Sequence, residues 1–495
     1  MSNNSHFLHD FLNPASVAIY GANNTYGTTF GTMICSNIIL GNYDRKIYPI
    51  HLKLDNVLGY KAYRSIADVP EVPDLVIIVL PPRIVPQIFR ECGEKGVRKI
   101  VLISGGFREA IQEKKNDLTE EISEIAKQYG IRFIGPNCFG FFNAWAYPDD
   151  NKIFNMMIFE KQVKRGKFSI VSQSGTMTSH LFLDPKNLDA YIGKSISVGN
   201  EANIDIVDFL EYFKDDDETD IIGLYIEEIK RGKRFIKLAK EITPKKPIIA
   251  IYGGGSRAGN RAIKSHTGSM IGNAKIFDAM AKETGIIKTN YIKEFLDLAG
   301  ILSKGLYPKG NRIGIITNSG GPGAMLANNA ERKGLIVPEF SENLQQKLKA
   351  GLPPTASYKN PIDCTFDMNM YNFYVSMPKL LMRSGEVDLI IIYGVIGFQY
   401  FMSRFIENEK LASHVEIQHE MLEKVGDLDK IFITPTIKAS KRFSIPVFYI
   451  NPQEFSSQWS KKIRENGGIL FKFWDAPINC AVKLCEYANF RRNHP

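Results

Sequence analysis

Unbroken apolar runs rich in β-branched residues recur along the chain: SVAIY, KIYPI, LVIIVL, KIVLI, RFI, FSIV, IIGLYI, PIIAIY, IGIIT, LIIIYGV and SIPVFYI. Strands that read as continuous rather than alternating apolar runs are buried on both faces, and stretches with helical character lie between them. The pattern predicts an α/β protein of parallel sheets covered by helices. Two polar, Pro/Gly-containing stretches, AYPDDNK and GLYPKGN, set boundaries near residues 145 and 308 and so predict three α/β domains, 1–145, 146–308 and 309–495.

Several of the predicted strands end in small polar turns. Gly21-Ala22-Asn23-Asn24 follows SVAIY, Ser172-Gln173-Ser174-Gly175-Thr176 follows FSIV, and Asn318-Ser319-Gly320-Gly321 follows IGIIT. Each reads as strand, glycine turn, helix start. The segments FSIVSQSGTMTSHL and IGIITNSGGPGAML look like an internal repeat, so one domain plan was used more than once.

A length of 495 residues with 44% hydrophobic and 23% charged positions is globular and too long for one ordinary core. The net charge of +9 comes without any block of five or six like charges, which argues against a nucleic-acid arm and is compatible with anionic small ligands. The six cysteines form no CxxC pair, so reduced, buried thiols are expected and neither disulfides nor a metal cage. The amino terminus lacks a secretory pattern and the longest apolar runs are too short to span a bilayer, which predicts a cytoplasmic protein.

The first turn, with Gly21, Gly27 and Gly31 between strand and helix, leaves backbone N–H groups free for a phosphate or simply lets a helix pack on a sheet. Its spacing is not GxGxxG, and a nicotinamide dinucleotide fingerprint is poorly matched. The neighbourhood is more specific: KIYPI ends at His51-Leu52-Lys53 and is followed by LGYKAYRSIADVPEVPDLVIIVLPP, ECGEKGVRKIVLISGGFRE and IRFIGPNCFGFFN. In order and distance these resemble the CoA-binding domain of the NDP-forming (ADP-forming) acyl-CoA synthetases and of the succinyl-CoA synthetase α subunit. The resemblance implies a Rossmann-like CoA-binding domain in which Gly21, Asn23, Asn24, Thr25, Tyr26, Lys53, Ser104, Gly105 and Gly106 hold CoA. An ammonium such as that of Lys53 reaches phosphate oxygens, although lysines are more often simply solvated. The family usually has Asn-Pro where this chain has His51-Leu52.

Further on, GGGSRAGNRAIKSHTGSM sets His266 beside Thr267 and Gly268 in a loop of glycines and hydroxyl residues, a composition that supplies donors for an anion. The stretch from IYGGGSRAG to IFDAMAKETGII is similar to the family's phosphohistidine loop. Imidazole suits that task, because its neutral form is nucleophilic near neutral pH and the phosphorylated ring is a good leaving group. By the same resemblance Glu227, in IIGLYIEEIKRGKRF, orients His266, and Glu228 is read as a solvated carboxylate. Ser172, Ser174, Gly175 and Thr176 would meet the phosphoryl group together with Thr267 and Gly268; a plain N-cap by Ser174 would use the same residues. The acyl pocket would include Asn137 and Phe139.

From residue 311 onward the chain is similar to the family's third α/β domain, so the implied fold is a Rossmann-like domain followed by two flavodoxin-like, succinyl-CoA synthetase-like domains. There Asn318–Gly321 reads equally as a second anion site or a structural turn, and residues 402–431 read as polar helix. No ATP-grasp nucleotide domain follows, so the expectation is the α subunit of an ADP-forming acyl-CoA synthetase: an acid–thiol ligase needing a separate ATP-grasp β subunit, as in an α2β2 hetero-oligomer. ATP or ADP with Mg²⁺ would sit mainly on that partner, and acyl phosphate and phosphohistidine would link acyl-CoA, ADP and phosphate to carboxylic acid, ATP and CoA. An acyl or carbamoyl transferase on the same scaffold and a non-catalytic CoA-binding regulator are the competing readings.

Overall fold

The computed structural model describes residues 6–25, 27, 29–107, 118–149, 151–157, 164–180, 190–259, 261, 274–365, 369–394, 408, 410, 431–451 and 458–494. The chain divides into two compact units, Met1–Ala299 and Gly300–Pro495. Three main sheets carry them, two in the first unit and one in the second.

The first sheet has five parallel strands, ordered Lys46–Ile50, Ser16–Tyr20, Leu75–Ile78, Lys99–Leu102, Arg132–Ile134. Ser16–Tyr20 is buried at every position, as an unbroken apolar run requires when helices cover both faces. Its following helix, Phe30–Leu40, starts at Thr29, whose hydroxyl accepts from the Thr32 N–H. Helix Val85–Lys95 stops at Gly96, left-handed at φ +100°, whose N–H reaches the Cys92 and Gly93 carbonyls.

The second sheet contains the parallel strands Ile287–Thr289, Ile248–Tyr252, Ile221–Ile226, Phe168–Ser172 and Ile192–Ser197, continued by the antiparallel Gly140–Asn143 and Phe154–Asn155. One apolar core runs through both sheets of this unit, from Val17 and Ile34 to Ile196 and Phe235. The strand Ile192–Ser197 is polar in sequence yet wholly buried; inside it, Lys194 is fully buried and donates to Asp216 (2.9 Å) and Glu218 (2.6 Å). The second unit holds five parallel strands ordered Ile362–Asp363, Ile313–Thr317, Leu389–Tyr393, Val447–Ile450, Ile469–Phe471, over its own core around Leu381, Ile390 and Tyr449.

Numbered within each sheet, the parallel strands of all three follow the order 2-1-3-4-5. The repeat extends to atoms. The Ser172 hydroxyl donates to the Ser174 carbonyl (2.7 Å) and accepts from the Ser174 N–H (3.0 Å). Thr317 makes the same pair with Ser319, at 2.8 and 3.0 Å. Each clasp closes the turn after the first parallel strand of its sheet. Five of the six cysteines are buried thiols, and among the described residues no helix is long and apolar enough to cross a membrane. The polar stretch 402–431 lies almost wholly outside the described residues.

Candidate functional site

Parallel strands end on one edge, and in a 2-1-3-4-5 sheet the chain leaves strands 1 and 3 in opposite directions, which opens a crevice where ligands bind. In the first sheet Tyr20 pairs with Ile50 on one side and Ile78 on the other, and Ile78 pairs with Leu102. Gly21, His51–Lys53 and Ser104–Gly106 therefore follow strand ends on that same edge. Gly21 is left-handed at φ +90°, and a Cβ on it would lie 2.1 Å from the Val79 carbonyl oxygen; one on Gly31 would lie 2.4 Å from the Gly21 backbone. Only glycine allows this approach.

The asparagines of the turn are committed to the chain itself. The Asn23 side chain accepts from the Thr25 N–H (2.8 Å) and the Thr32 hydroxyl (3.0 Å). Asn24 accepts from Leu58 N (2.8 Å) and donates to the Asn56 carbonyl (3.0 Å), tying the turn to the hairpin Asn56–Lys61. Ser104 is likewise used, accepting from Leu80 N (3.0 Å) and donating to its carbonyl (2.5 Å). These side chains shape the crevice. Groups suited to an anionic ligand are the start of helix Phe30–Leu40 and the exposed Lys53 ammonium, which has no partner among the described residues. A nucleotide-bearing ligand such as CoA fits this combination of close backbone approach and cationic rim. Tyr26 lies outside the described residues.

The second turn sits on the next sheet. The Ser174 hydroxyl accepts from Met177 N (3.4 Å) as an N-cap, while Ser172 is fully buried by its clasp. Gly175 leaves room for Phe139, whose ring a Cβ there would meet at 2.8 Å, and Phe139 also lies 6.1 Å, centroid to centroid, from Phe30 on the helix after the first turn. Thr176 is exposed at the start of its helix.

Between the two turns runs a chain of polar contacts that sequence reading missed. Asn137, left-handed at φ +58°, donates from its N–H to the Ser104 carbonyl (2.9 Å) and from its amide to Asn200 (3.4 Å). Lys230 holds the Asn200 and Glu201 carbonyls at 2.9 and 2.6 Å. The buried Glu201 carboxyl group accepts from Ile206 N (2.9 Å) and from the Gln173 amide (2.7 Å). Gln173 in turn accepts both the Glu227 and Glu228 N–H groups, at 2.5 and 3.0 Å, and donates to the Glu228 carbonyl (2.8 Å). Gln173 thus fixes the backbone that carries Glu227 against the second turn. Burial pushes the Glu201 carboxyl up to about 8, against the lowering pull of Lys230 and the two N–H donors. Burial first, then the adjacent Glu227 carboxylate to which it is hydrogen-bonded, pushes the Tyr225 phenol up to about 12. The only signal available in sequence was Gln173 itself, inside SQSG.

Glu227 follows Ile226, whose strand partner Tyr252 leads into the segment that contains His266. His266, Thr267 and Gly268 lie outside the described residues. The two flanks of that segment meet: a Cβ on Gly255, at φ +116°, would stand 2.5 Å from Ala274 Cβ. Among the described residues no group of three His, Cys, Asp or Glu side chains is placed to hold a metal ion.

A family profile described as a CoA binding domain matches residues 15–144, and one described as a succinyl-CoA ligase like flavodoxin domain matches residues 165–302. The chain is 40% identical over 390 residues to the ADP-forming acetate–CoA ligase II subunit alpha of Pyrococcus furiosus, covering 79% of this chain and 82% of that one. It is 39% identical over 367 residues to the I subunit alpha of the same organism, covering 72% and 76%. Against the longer ADP-forming acetate–CoA ligase of Methanocaldococcus jannaschii it is 42% identical over 354 residues, spanning 48% of that relative. Among solved structures, the dinucleotide-forming acetyl-coenzyme A synthetase 1 of Candidatus Korarchaeum cryptofilum, in complex with phosphate and ADP, superposes with a TM-score of 0.79 at 27% identity over 98% of this chain and 97% of that one. A protein of Pyrococcus horikoshii does so with a TM-score of 0.76 at 30% identity, over 98% and 99%. Aligned over most of both chains with relatives of one kind, the chain belongs to the ADP-forming acyl-CoA synthetases, a family of acid–thiol ligases, as a member of its α-subunit type.

Proposed function

We propose that the chain carries the acyl and phosphoryl half of an ADP-forming acyl-CoA synthetase reaction, with CoA at the edge of the first sheet and His266 as the phosphate carrier. The observation that carries the reading is the polar chain Ser104–Asn137–Asn200–Lys230–Glu201–Gln173–Glu227, which runs from a CoA-type crevice to a phosphate-type turn. In this reading a phosphate oxygen attacks the thioester carbonyl of a small acyl-CoA and the CoA thiolate leaves, giving an acyl phosphate. A ring nitrogen of His266 then takes the phosphorus and the carboxylate leaves. Finally a β-phosphate oxygen of ADP takes the phosphorus and the imidazole departs; each step is reversible. Glu227 would hold the other ring nitrogen as a donor so that the attacking one keeps its lone pair. Gly175, Thr176, Thr267 and Gly268 would offer backbone donors to the phosphoryl oxygens, and Asn137 would border the acyl group.

Residues 1–145 would serve CoA, 146–308 the phosphoryl carrier, and 309–495 a further flavodoxin-like domain. The relatives named as α subunits support a separate β subunit, which would bring ATP or ADP with Mg²⁺ on an ATP-grasp domain, as in an α2β2 assembly in the cytoplasm. Incubating the chain with that partner and γ-labelled ATP should yield acid-labile label on this chain, and His266→Ala should remove it. Label that persists in His266→Ala would sink the carrier role.

A further inference from the structure

At the departure His51-Leu52 the histidine side chain itself closes the turn. The strand Lys46–Ile50 ends, and His51 then bonds back to Tyr63, its N–H donating to the Tyr63 carbonyl (2.9 Å). Its ring folds over the following residues: Nδ1 accepts from Lys53 N at 3.1 Å and from Leu54 N at 3.0 Å. Nδ1 thus serves as the acceptor for two successive backbone N–H groups of the turn. This is the work an asparagine Oδ1 performs in an Asx turn, done here by an imidazole. Arg64 closes the turn from outside, donating to the His51 and Leu54 carbonyls at 3.2 and 2.9 Å and pairing with Asp55 (2.5 Å). Within this frame Leu52 is 81% exposed and Lys53 is exposed.

We infer that His51 is a positioning residue for CoA binding: through Nδ1 it fixes the turn that presents Lys53 at the carboxyl edge of the first sheet. The inference rests on the reading above that Lys53 meets CoA. A lysine on a loose turn must lose backbone as well as side-chain freedom when it engages an anion, whereas the clasped turn has lost the backbone part in folding. Two neutral hydrogen bonds are at stake, enough for about a tenfold change in affinity.

The test is a double-mutant cycle on equilibrium CoA binding by the full chain, with thermal melts of each variant alongside. His51→Ala and His51→Leu, which lack the acceptor, should weaken CoA about tenfold, while His51→Asn, which restores it, should stay within about twofold of the parent. In a Lys53→Ala background, His51→Leu should cost nothing further. The inference is overturned if His51→Asn binds as weakly as His51→Leu, or if His51→Leu weakens binding equally with and without Lys53. It is also overturned if CoA binds the parent but Lys53→Ala loses nothing, a result that leaves the CoA reading of the sheet intact. Failure of the parent to bind CoA at all would overturn that reading itself, and the inference with it.

Discussion

Glu201 is 5% exposed and left-handed at φ +53°, a conformation that costs a non-glycine residue free energy, yet its carboxyl joins the second turn to the Asp205-capped helix Ile206–Lys214. With its carboxyl pushed up to about 8 by burial, the folded protein holds a proton that the unfolded chain releases near the ordinary carboxylate value. Its contribution to stability is therefore fully present in acid, falls as pH climbs through 8, and levels off above it. Between pH 6 and 8 unfolding should become easier by about 2–3 kcal/mol from this group. Glu201→Gln should cost about 1–3 kcal/mol outright, because an amide cannot accept from both Ile206 and Gln173, but should remove that slope; chemical denaturation across the pH range reads both. An unchanged slope would show that the carboxyl does not titrate there. None of this was legible in sequence, since Gln173 meets partners 28 and 54 residues away and a polar residue after a strand carries no mark of them.

Elements were far more legible than side-chain partners. Every strand expected from an unbroken apolar run exists, because such runs report burial on both faces directly. The strands that escaped were of two sorts. Ile192–Ser197 reads IGKSIS, and its interior place depends on Asp216 and Glu218, far along the chain, meeting Lys194. The others, such as Gly140–Asn143, Phe154–Asn155 and Ile469–Phe471, are two to four residues long, too short for any period to show. Glycine turns, by contrast, announce themselves because no other residue fits. Gly21→Ala combines a positive φ with a Cβ 2.1 Å from a strand-end carbonyl and should cost roughly 3 kcal/mol or more, with CoA binding lost in parallel. Gly59→Ala is the control: φ is +86° but nothing lies within 4 Å, so only about 1 kcal/mol of backbone strain is expected. Thermal melts should separate the two, and equal losses would show that the close approach to Val79 is not the constraint.

At the scale of the molecule, the unit Gly300–Pro495 has its own parallel sheet and its own core. Expressed alone, residues 300–495 should unfold in one cooperative transition by far-ultraviolet circular dichroism; a broad, featureless melt would show that the unit does not hold itself together. The likeness of the second and third sheets was visible in sequence because the SQSG and NSGG turns repeat, while the hydroxyl clasps that make those turns alike in space were not. The meeting of Gly255 with Ala274 has a consequence of another kind. His266 stands eight residues from Ala274, the nearer of the two. A fully drawn chain of that length spans about 26–29 Å, so under the proposed carrier role the donor and the acceptor of the phosphoryl group must both meet His266 within that distance of Ala274.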